Sequence, residues 1–129
     1  TLNTLVAADS IIIPIQCEFY ALEGVSGLLN TVNLVKESLN SSLEIEGVLM
    51  TMADYRTNLT NEVIGEIKNF FKEKVYQAVI PRNIRLSEAP SFGKPIHIYD
   101  PTSAGALKYK ELAQEVMGIK KQEDNVQKV

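Results

Sequence analysis

Three short apolar runs constrain the fold of this chain more than anything else in it: Ile11-Ile12-Ile13-Pro14-Ile15, Ile45 to Met52, and Val75 to Ile80. The first is almost wholly β-branched and has no polar alternation. That pattern marks a strand buried on both faces, as in a parallel sheet. Pro14 is expected to close that strand or sit at its end. Between the runs lie helical stripes. Leu22, Val25, Leu28, Leu29, Val32, Val35 and Leu39 recur at 3.6-residue spacing over Ala21 to Leu39. Val63, Ile64, Ile67, Phe70 and Phe71 do the same from Thr60 to Lys72, with Asn58, Thr60 and Asn61 as candidate N-caps. Thr1 to Ala8 carries Leu2, Leu5 and Val6 and reads as the end of a helix or turn.

The second half begins with a proline-rich stretch, Pro81 to Pro95, holding three of the five prolines together with Arg82, Arg85 and Lys94. It follows a buried strand, so it reads as a rigid loop at the strand-end side of the sheet, where open α/β sheets place ligands. Pro95 to Tyr99 alternates weakly and predicts a short edge strand. Thr102 or Ser103 then caps a last helix to about Met117, with Leu107, Leu112, Ala113, Val116 and Met117 buried and Gly118 ending it. The order β-α-β-α-β-loop-(β)-α implies parallel strands joined by right-handed crossovers, a three-layer α/β architecture with helices flanking the sheet. The 129 residues make one domain; residues 1–119 form the folded part and 120–129 a polar tail. The first strand has no certain neighbour on one side, and there is no initiator Met. A preceding half is therefore expected, or another chain that covers the edge.

Composition excludes several functions. The net charge is −3, so any nucleic-acid binding must come from a local patch or from several copies. A single cysteine, Cys17, excludes an internal disulfide and fits a reducing cytoplasm; with His97 the only histidine, no His/Cys metal site is expected. No apolar run reaches membrane-spanning length. There is no G-x-x-x-x-G-K-[ST] phosphate loop and no G-x-G-x-x-G. Gly24-Val25-Ser26-Gly27 lies inside a helical stripe and reads as close helix–sheet packing. Nothing places Ser, His and a carboxylate as a triad. Cys17 and His97 read as structural. Glu18 and Glu23 bracket the first strand-end loop. Arg56 and Arg85 occupy strand-end loops that lie side by side in a parallel sheet, so with Arg82 and Lys94 they can form a shared basic rim.

Four blocks, in order, carry a resemblance: Gln16-Cys17-Glu18-Phe19-Tyr20-Ala21-Leu22-Glu23-Gly24, Gly47 to Met52, Pro81 to Pro95, and Tyr99-Asp100-Pro101. Together they resemble the C-terminal half of ParA/Soj-type chromosome-partitioning ATPases, deviant Walker-A relatives of MinD, over nearly the whole chain except about the last ten residues. The resemblance implies the C-terminal half of a P-loop NTPase fold. It implies a complete protein that binds ATP with Mg²⁺, dimerises as a nucleotide sandwich, binds DNA without sequence specificity and is stimulated by a ParB/Spo0J-type partner. Thr51, Met52, Pro81, Arg82 and Asn83 would then line the adenine pocket. Arg56 and Arg85 match positions that contact DNA phosphates, and Glu18, Phe19, Tyr20 and Glu23 would face the dimer partner. The family's phosphate loop and its catalytic and Mg²⁺-binding aspartates are expected upstream of Thr1. These residues alone are therefore expected to be inactive and to hold no nucleotide tightly. The implied location is the cytoplasm, on the nucleoid.

Two other readings remain. A MinD-like septum-positioning ATPase would need an amphipathic membrane helix, and Lys120 to Val129 carries too little apolar surface for one. A non-catalytic, receiver-like interaction module would need an acidic pocket at the strand ends, where only Asp54 is placed.

Overall fold

The computed structural model describes residues 1–118, so the predicted polar tail at 120–129 lies outside the described residues. Helix α1 (Leu2–Ala7) leads into strand β1 (Ser10–Gln16). Helix α2 (Ala21–Ser38), strand β2 (Glu44–Ala53), helix α3 (Asn58–Phe71) and strand β3 (Val75–Pro81) follow. Two short helices, α4 (Ile84–Glu88) and α5 (Ile96–Tyr99), precede helix α6 (Ala104–Val116). The strands form one parallel sheet in the order β1-β2-β3, flanked by helices, the architecture expected of the three apolar runs.

Parallel pairing follows from the crossovers: a strand that returns through a helix must re-enter the sheet in its original direction. One face is covered by α2 and α3. Val25 of α2, with Val63 and Ile67 of α3, packs in one buried cluster with Ile13 and Ile15 of β1, Val48 and Met50 of β2 and Val79 of β3. Ala78 and Ile80 flank Val79 and point to the other face by strand alternation; both are buried, and α6 runs against β3. A smaller cluster of Leu5, Val32, Val35 and Leu43 seats α1 against α2.

The structure corrects several local expectations. β1 is buried on one face only. Ile13 and Ile15 point inward, whereas Ile12 is 40% exposed, because α6 covers β3 and does not reach β1. Pro14 lies inside β1 rather than at its end. The Cys17 N–H donates to the Thr51 carbonyl, so alternation turns the Pro14 nitrogen toward the open edge, where no ladder donor is required. Leu39 and Phe70 fall on the predicted stripes but are exposed at the rims of their helices. The N-cap of α3 is Thr57, whose hydroxyl accepts from the Thr60 N–H, rather than Asn58, Thr60 or Asn61.

The proline-rich stretch is helical rather than an open loop. Asn83 caps α4 by accepting from the Arg85 N–H, and Pro90 opens a 3₁₀ turn, Ala89–Phe92, where its missing N–H costs nothing. Pro95 to Tyr99 is likewise a helical turn, not an edge strand. The Ile98 and Tyr99 N–H groups both donate to the Pro95 carbonyl, and the Tyr99 ring stacks on Phe92. Ser103 caps α6 as expected, but Leu107, Val116 and Met117 are exposed. Gly105 and Ala106 are the buried residues of α6, and a Cβ at Gly105 would run into Leu86. Gly24 and Gly27 meet nothing that a Cβ would strike, so close packing is not their role. The close backbone approach is at Gly47, against the Tyr76 ring.

Ile67 is fully buried between α3 and the sheet, while Phe70 is 56% exposed one turn on. We expect Ile67→Ala to destabilise the fold by about 2–5 kcal/mol. Phe70→Ala should cost less than about 1 kcal/mol. Urea midpoints of the two variants check this pair.

Candidate functional site

Parallel strands end together, and here three ends converge on one edge of the sheet. Gln16 of β1 is in register with Thr51 of β2, and Ala53 of β2 with Pro81 of β3. The Arg82 N–H donates to the Ala53 carbonyl at 2.9 Å, which extends the ladder one residue past the strand. Thr51, Met52, Pro81, Arg82 and Asn83 therefore lie on two neighbouring strand ends. Met52 has φ of 55°, a left-handed backbone that an unbranched side chain tolerates only when its surroundings impose it. The strain sits at the point where β2 leaves the sheet. The Thr51 hydroxyl, by contrast, turns back to the sheet and donates to the Ile15 carbonyl.

The turn after β2 is stapled by side chains. The Asp54 N–H donates to the Thr60 hydroxyl at 3.1 Å, and Thr60 is almost fully buried. The Thr57 hydroxyl donates back to the Asp54 carbonyl. Asp54 in turn accepts from the Arg56 backbone N–H at 3.1 Å and holds the Arg56 guanidinium through two contacts, Nε–Oδ1 at 2.9 Å and Nη2–Oδ2 at 2.8 Å. Arg56 itself is 85% exposed. These hydrogen bonds from Arg56, aided by the nearby positive charge of Arg82, hold the Asp54 carboxyl down at about 2. Arg56 and Arg82 thus share one corner of the sheet edge with a single carboxylate between them.

Arg85 belongs to a second cluster. Its Nη1 lies 3.1 Å from Glu88 and its Nε 3.4 Å from Asp100. The Tyr99 hydroxyl donates to the same Glu88 oxygen at 2.6 Å. The Tyr99 hydrogen bond, then Arg85, keeps the Glu88 carboxyl below the usual carboxylate range. Of the basic rim expected from Arg56, Arg82, Arg85 and Lys94, Arg56 and Arg85 are thus held in ion pairs. The sequence does not mark Glu88, Tyr99 or Asp100 as partners of these arginines, and Asp54 stands in it only as a lone strand-end carboxylate. A spacing signal existed for two of them: Asp54 stands two residues before Arg56 in a turn, and Glu88 stands three after Arg85 on a helix.

The first strand-end loop presents an apolar surface. Phe19 and Tyr20 are 74% and 70% exposed and touch edge to face, with ring centroids 5.0 Å apart; Glu18 and Glu23 are exposed beside them. Cys17 is buried, and that burial raises its pKa, which fits a packed and unreactive thiol. His97 is exposed on α5 rather than packed. Among the described residues no group of three His, Cys, Asp or Glu could hold a metal ion, and no helix is long and apolar enough to cross a membrane.

Comparison with known proteins adds to this geometry. A family model described as an AAA domain matches residues 1–45. The chain is 64% identical over 116 residues to the sporulation initiation inhibitor protein Soj of Bacillus subtilis, covering 90% of this chain and 46% of that protein. It is 53% identical over 117 residues to the chromosome partitioning protein ParA of Myxococcus xanthus, covering 91% of this chain and 41% of ParA. The chromosome-partitioning ATPase Soj of Thermus thermophilus matches at 53% identity, with 91% of this chain and 47% of that protein covered. The chain thus spans less than half the length of the curated relatives it matches. Among solved structures, cobyrinic acid a,c-diamide synthase from Mycobacterium smegmatis superposes with a TM-score of 0.67 at 30% identity, over 89% of this chain and 40% of that one. The same enzyme with bound ATP analog and magnesium gives 0.66 over the same shares.

The electrostatics of the β2 corner can be measured directly. We expect the Asp54 carboxyl to titrate near pH 2, and its ¹³C shift in Arg56→Gln to titrate closer to the ordinary 3.8. A depressed carboxylate stabilises the fold above its unfolded pKa. The contribution of this pair should therefore be intact above about pH 4 and lost as pH falls through about 2.

Proposed function

Because this chain belongs to the ParA/Soj-type family of chromosome-partitioning ATPases, we propose that it forms the C-terminal half of a P-loop ATPase that binds ATP with Mg²⁺, dimerises, and binds DNA without sequence preference. A ParB/Spo0J-type partner stimulates its hydrolysis. The observation that carries this reading is the 64% identity to Soj over 116 residues. The geometry supports a division of labour among the three strand ends.

The β2 and β3 ends serve the base of the nucleotide. Thr51, Met52, Pro81 and Arg82 form a shelf of backbone and apolar groups, and Asn83 adds an amide whose oxygen already caps α4 and whose N–H₂ can donate. Triphosphate binding needs a nest of N–H groups and a lysine, which the P-loop motif supplies and this sequence lacks. Mg²⁺, when bound, would supply charge neutralisation at the phosphates, with its ligands expected in the half of the site that carries the phosphate loop. The base-binding shelf is accordingly one half of a site.

Arg56 and Arg85 are the groups for DNA. Exposed guanidinium groups on turns reach phosphate oxygens without reading bases, which gives affinity without sequence preference. Glu18, Phe19, Tyr20 and Glu23 face the dimer partner. An exposed aromatic pair with a charged border suits a protein contact. Binding to DNA places the protein on the nucleoid in the cytoplasm.

Two outcomes are expected. Residues 1–129 alone release no phosphate from ATP in the presence of Mg²⁺; turnover in a phosphate-release assay contradicts the half-site reading. In the complete ATP-loaded protein, Arg56→Ala with Arg85→Ala weakens binding to DNA of any sequence. The variant also flattens the salt dependence by about one unit of log–log slope per lost phosphate contact. Unchanged binding in that variant removes both residues from the DNA site.

A further inference from the structure

The two arginines differ in the charge that surrounds them. At the β2 corner, Arg56 and Arg82 stand around Asp54, two positive charges against one negative. At the α4 cluster the balance is reversed. Arg85 faces both Glu88 and Asp100, one positive charge against two negative, a local net of minus one. Two separate nitrogens of the Arg85 guanidinium are engaged, Nη1 by Glu88 and Nε by Asp100. Glu88 is itself fixed from behind by the Tyr99 hydroxyl at 2.6 Å, and Tyr99 is fixed by stacking on Phe92 at 5.1 Å. Asp100 is anchored by the Thr102 N–H and hydroxyl at its other oxygen. Both carboxylates are thus preset by groups other than Arg85.

A phosphate approaching Arg85 meets carboxylates already set against two of its nitrogens, Nη1 and Nε. A guanidinium recognises carboxylate and phosphate oxygens through the same N–H groups, so the two compete for one partner. We propose that Glu88 and Asp100 are built-in competitors of DNA phosphate. In this resting arrangement they hold Arg85 off the duplex, and DNA binding at Arg85 is an exchange of carboxylate for phosphate. The inference rests on the assignment of Arg85 to DNA contact made above. It makes Glu88 and Asp100 residues that set how weakly and how reversibly the protein holds DNA. The Arg85 side chain is about half exposed, and exposed ion pairs are weak enough to be displaced. Arg56, with Arg82 beside it, faces one carboxylate, Asp54, rather than two.

Glu88→Gln and Asp100→Asn test this with little change of shape. Gln keeps an oxygen for the Tyr99 hydroxyl, and Asn keeps one for the Thr102 turn. The readout is fluorescence anisotropy of a mixed-sequence duplex DNA titrated with the complete ATP-loaded protein at several salt concentrations. Each variant should tighten binding about two- to fivefold, the range an exposed ion pair spans. Each should also steepen the salt dependence, since one carboxylate fewer is left to recruit a cation when Arg85 departs. In an Arg85→Ala background both gains should vanish. Unchanged or weaker binding in Glu88→Gln and in Asp100→Asn, while Arg85→Ala still weakens binding, overturns the competition. So does a gain that survives in the Arg85→Ala background. If Arg85→Ala itself leaves DNA affinity unchanged, the assignment of Arg85 to DNA is what fails. The two variants act on different nitrogens of one arginine, so either alone suffices if the other does not fold.

Discussion

Two backbone hydrogen bonds hold the working edge of this molecule together. Cys17 donates to the Thr51 carbonyl from one side of β2, and Arg82 donates to the Ala53 carbonyl from the other. They are the last rungs of the two parallel ladders. Each ties the loop that follows an outer strand to the end of the central one. The loop at Glu18–Tyr20, the turn at Asp54–Thr57 and the start of α4 are neighbours because of them. Without parallel pairing, these residues would lie at opposite ends of the sheet. The pairing rests on a core in which Val48 and Met50 of β2 are fully buried beneath α2 and α3. Packing of the central strand thus determines where the chemistry is presented.

Much of this was readable in the chain. The three apolar runs gave three strands, and the stripes from Ala21 and from Thr60 gave α2 and α3 to within a few residues. The strand ends carrying Thr51, Met52, Pro81, Arg82 and Asn83 lie side by side because β2 and β3 are paired neighbours in the parallel sheet. What failed was burial and local shape. The Ile11–Ile15 run says nothing of whether a helix covers its second face, and none of the described residues does so for Ile12. The stretch from Pro81 to Pro95 hid its helices behind prolines. Pro90 sits at the start of a 3₁₀ turn, where proline is welcome, and Asn83 is an N-cap. In α6 the apolar residues misled. Contact there is made by Gly105 against Leu86, a close approach in which the absence of a side chain is the signal.

The site residues were legible as positive charges and illegible as pairs. Arg56 and Arg85 stand out in the sequence because cations on strand-end turns suit phosphate. Their partners are set by turn geometry: an aspartate whose oxygen also accepts the Arg56 N–H, and a glutamate oriented by a tyrosine eleven residues on. The pairings within the turn and along α4 follow local spacing, but the contacts of Tyr99 and Asp100 depend on chain reversal that no spacing rule anticipates. They matter because a chain with a net charge of −3 binds a polyanion only through local exceptions. Here the exceptions are tempered by neighbouring carboxylates, which suits weak, reversible attachment.

The central claim is that the turns at the C-terminal ends of β2 and β3 are where this protein meets DNA. Hydrogen exchange of the complete ATP-loaded protein, with and without duplex DNA, tests it most directly. Slowed exchange is expected at residues 54–57 and 83–88, with little change along the lysine-bearing end of α3 and the turn after it, Lys68 to Lys74. Protection confined to that end of α3, with exchange at the two turns unaltered, would contradict it.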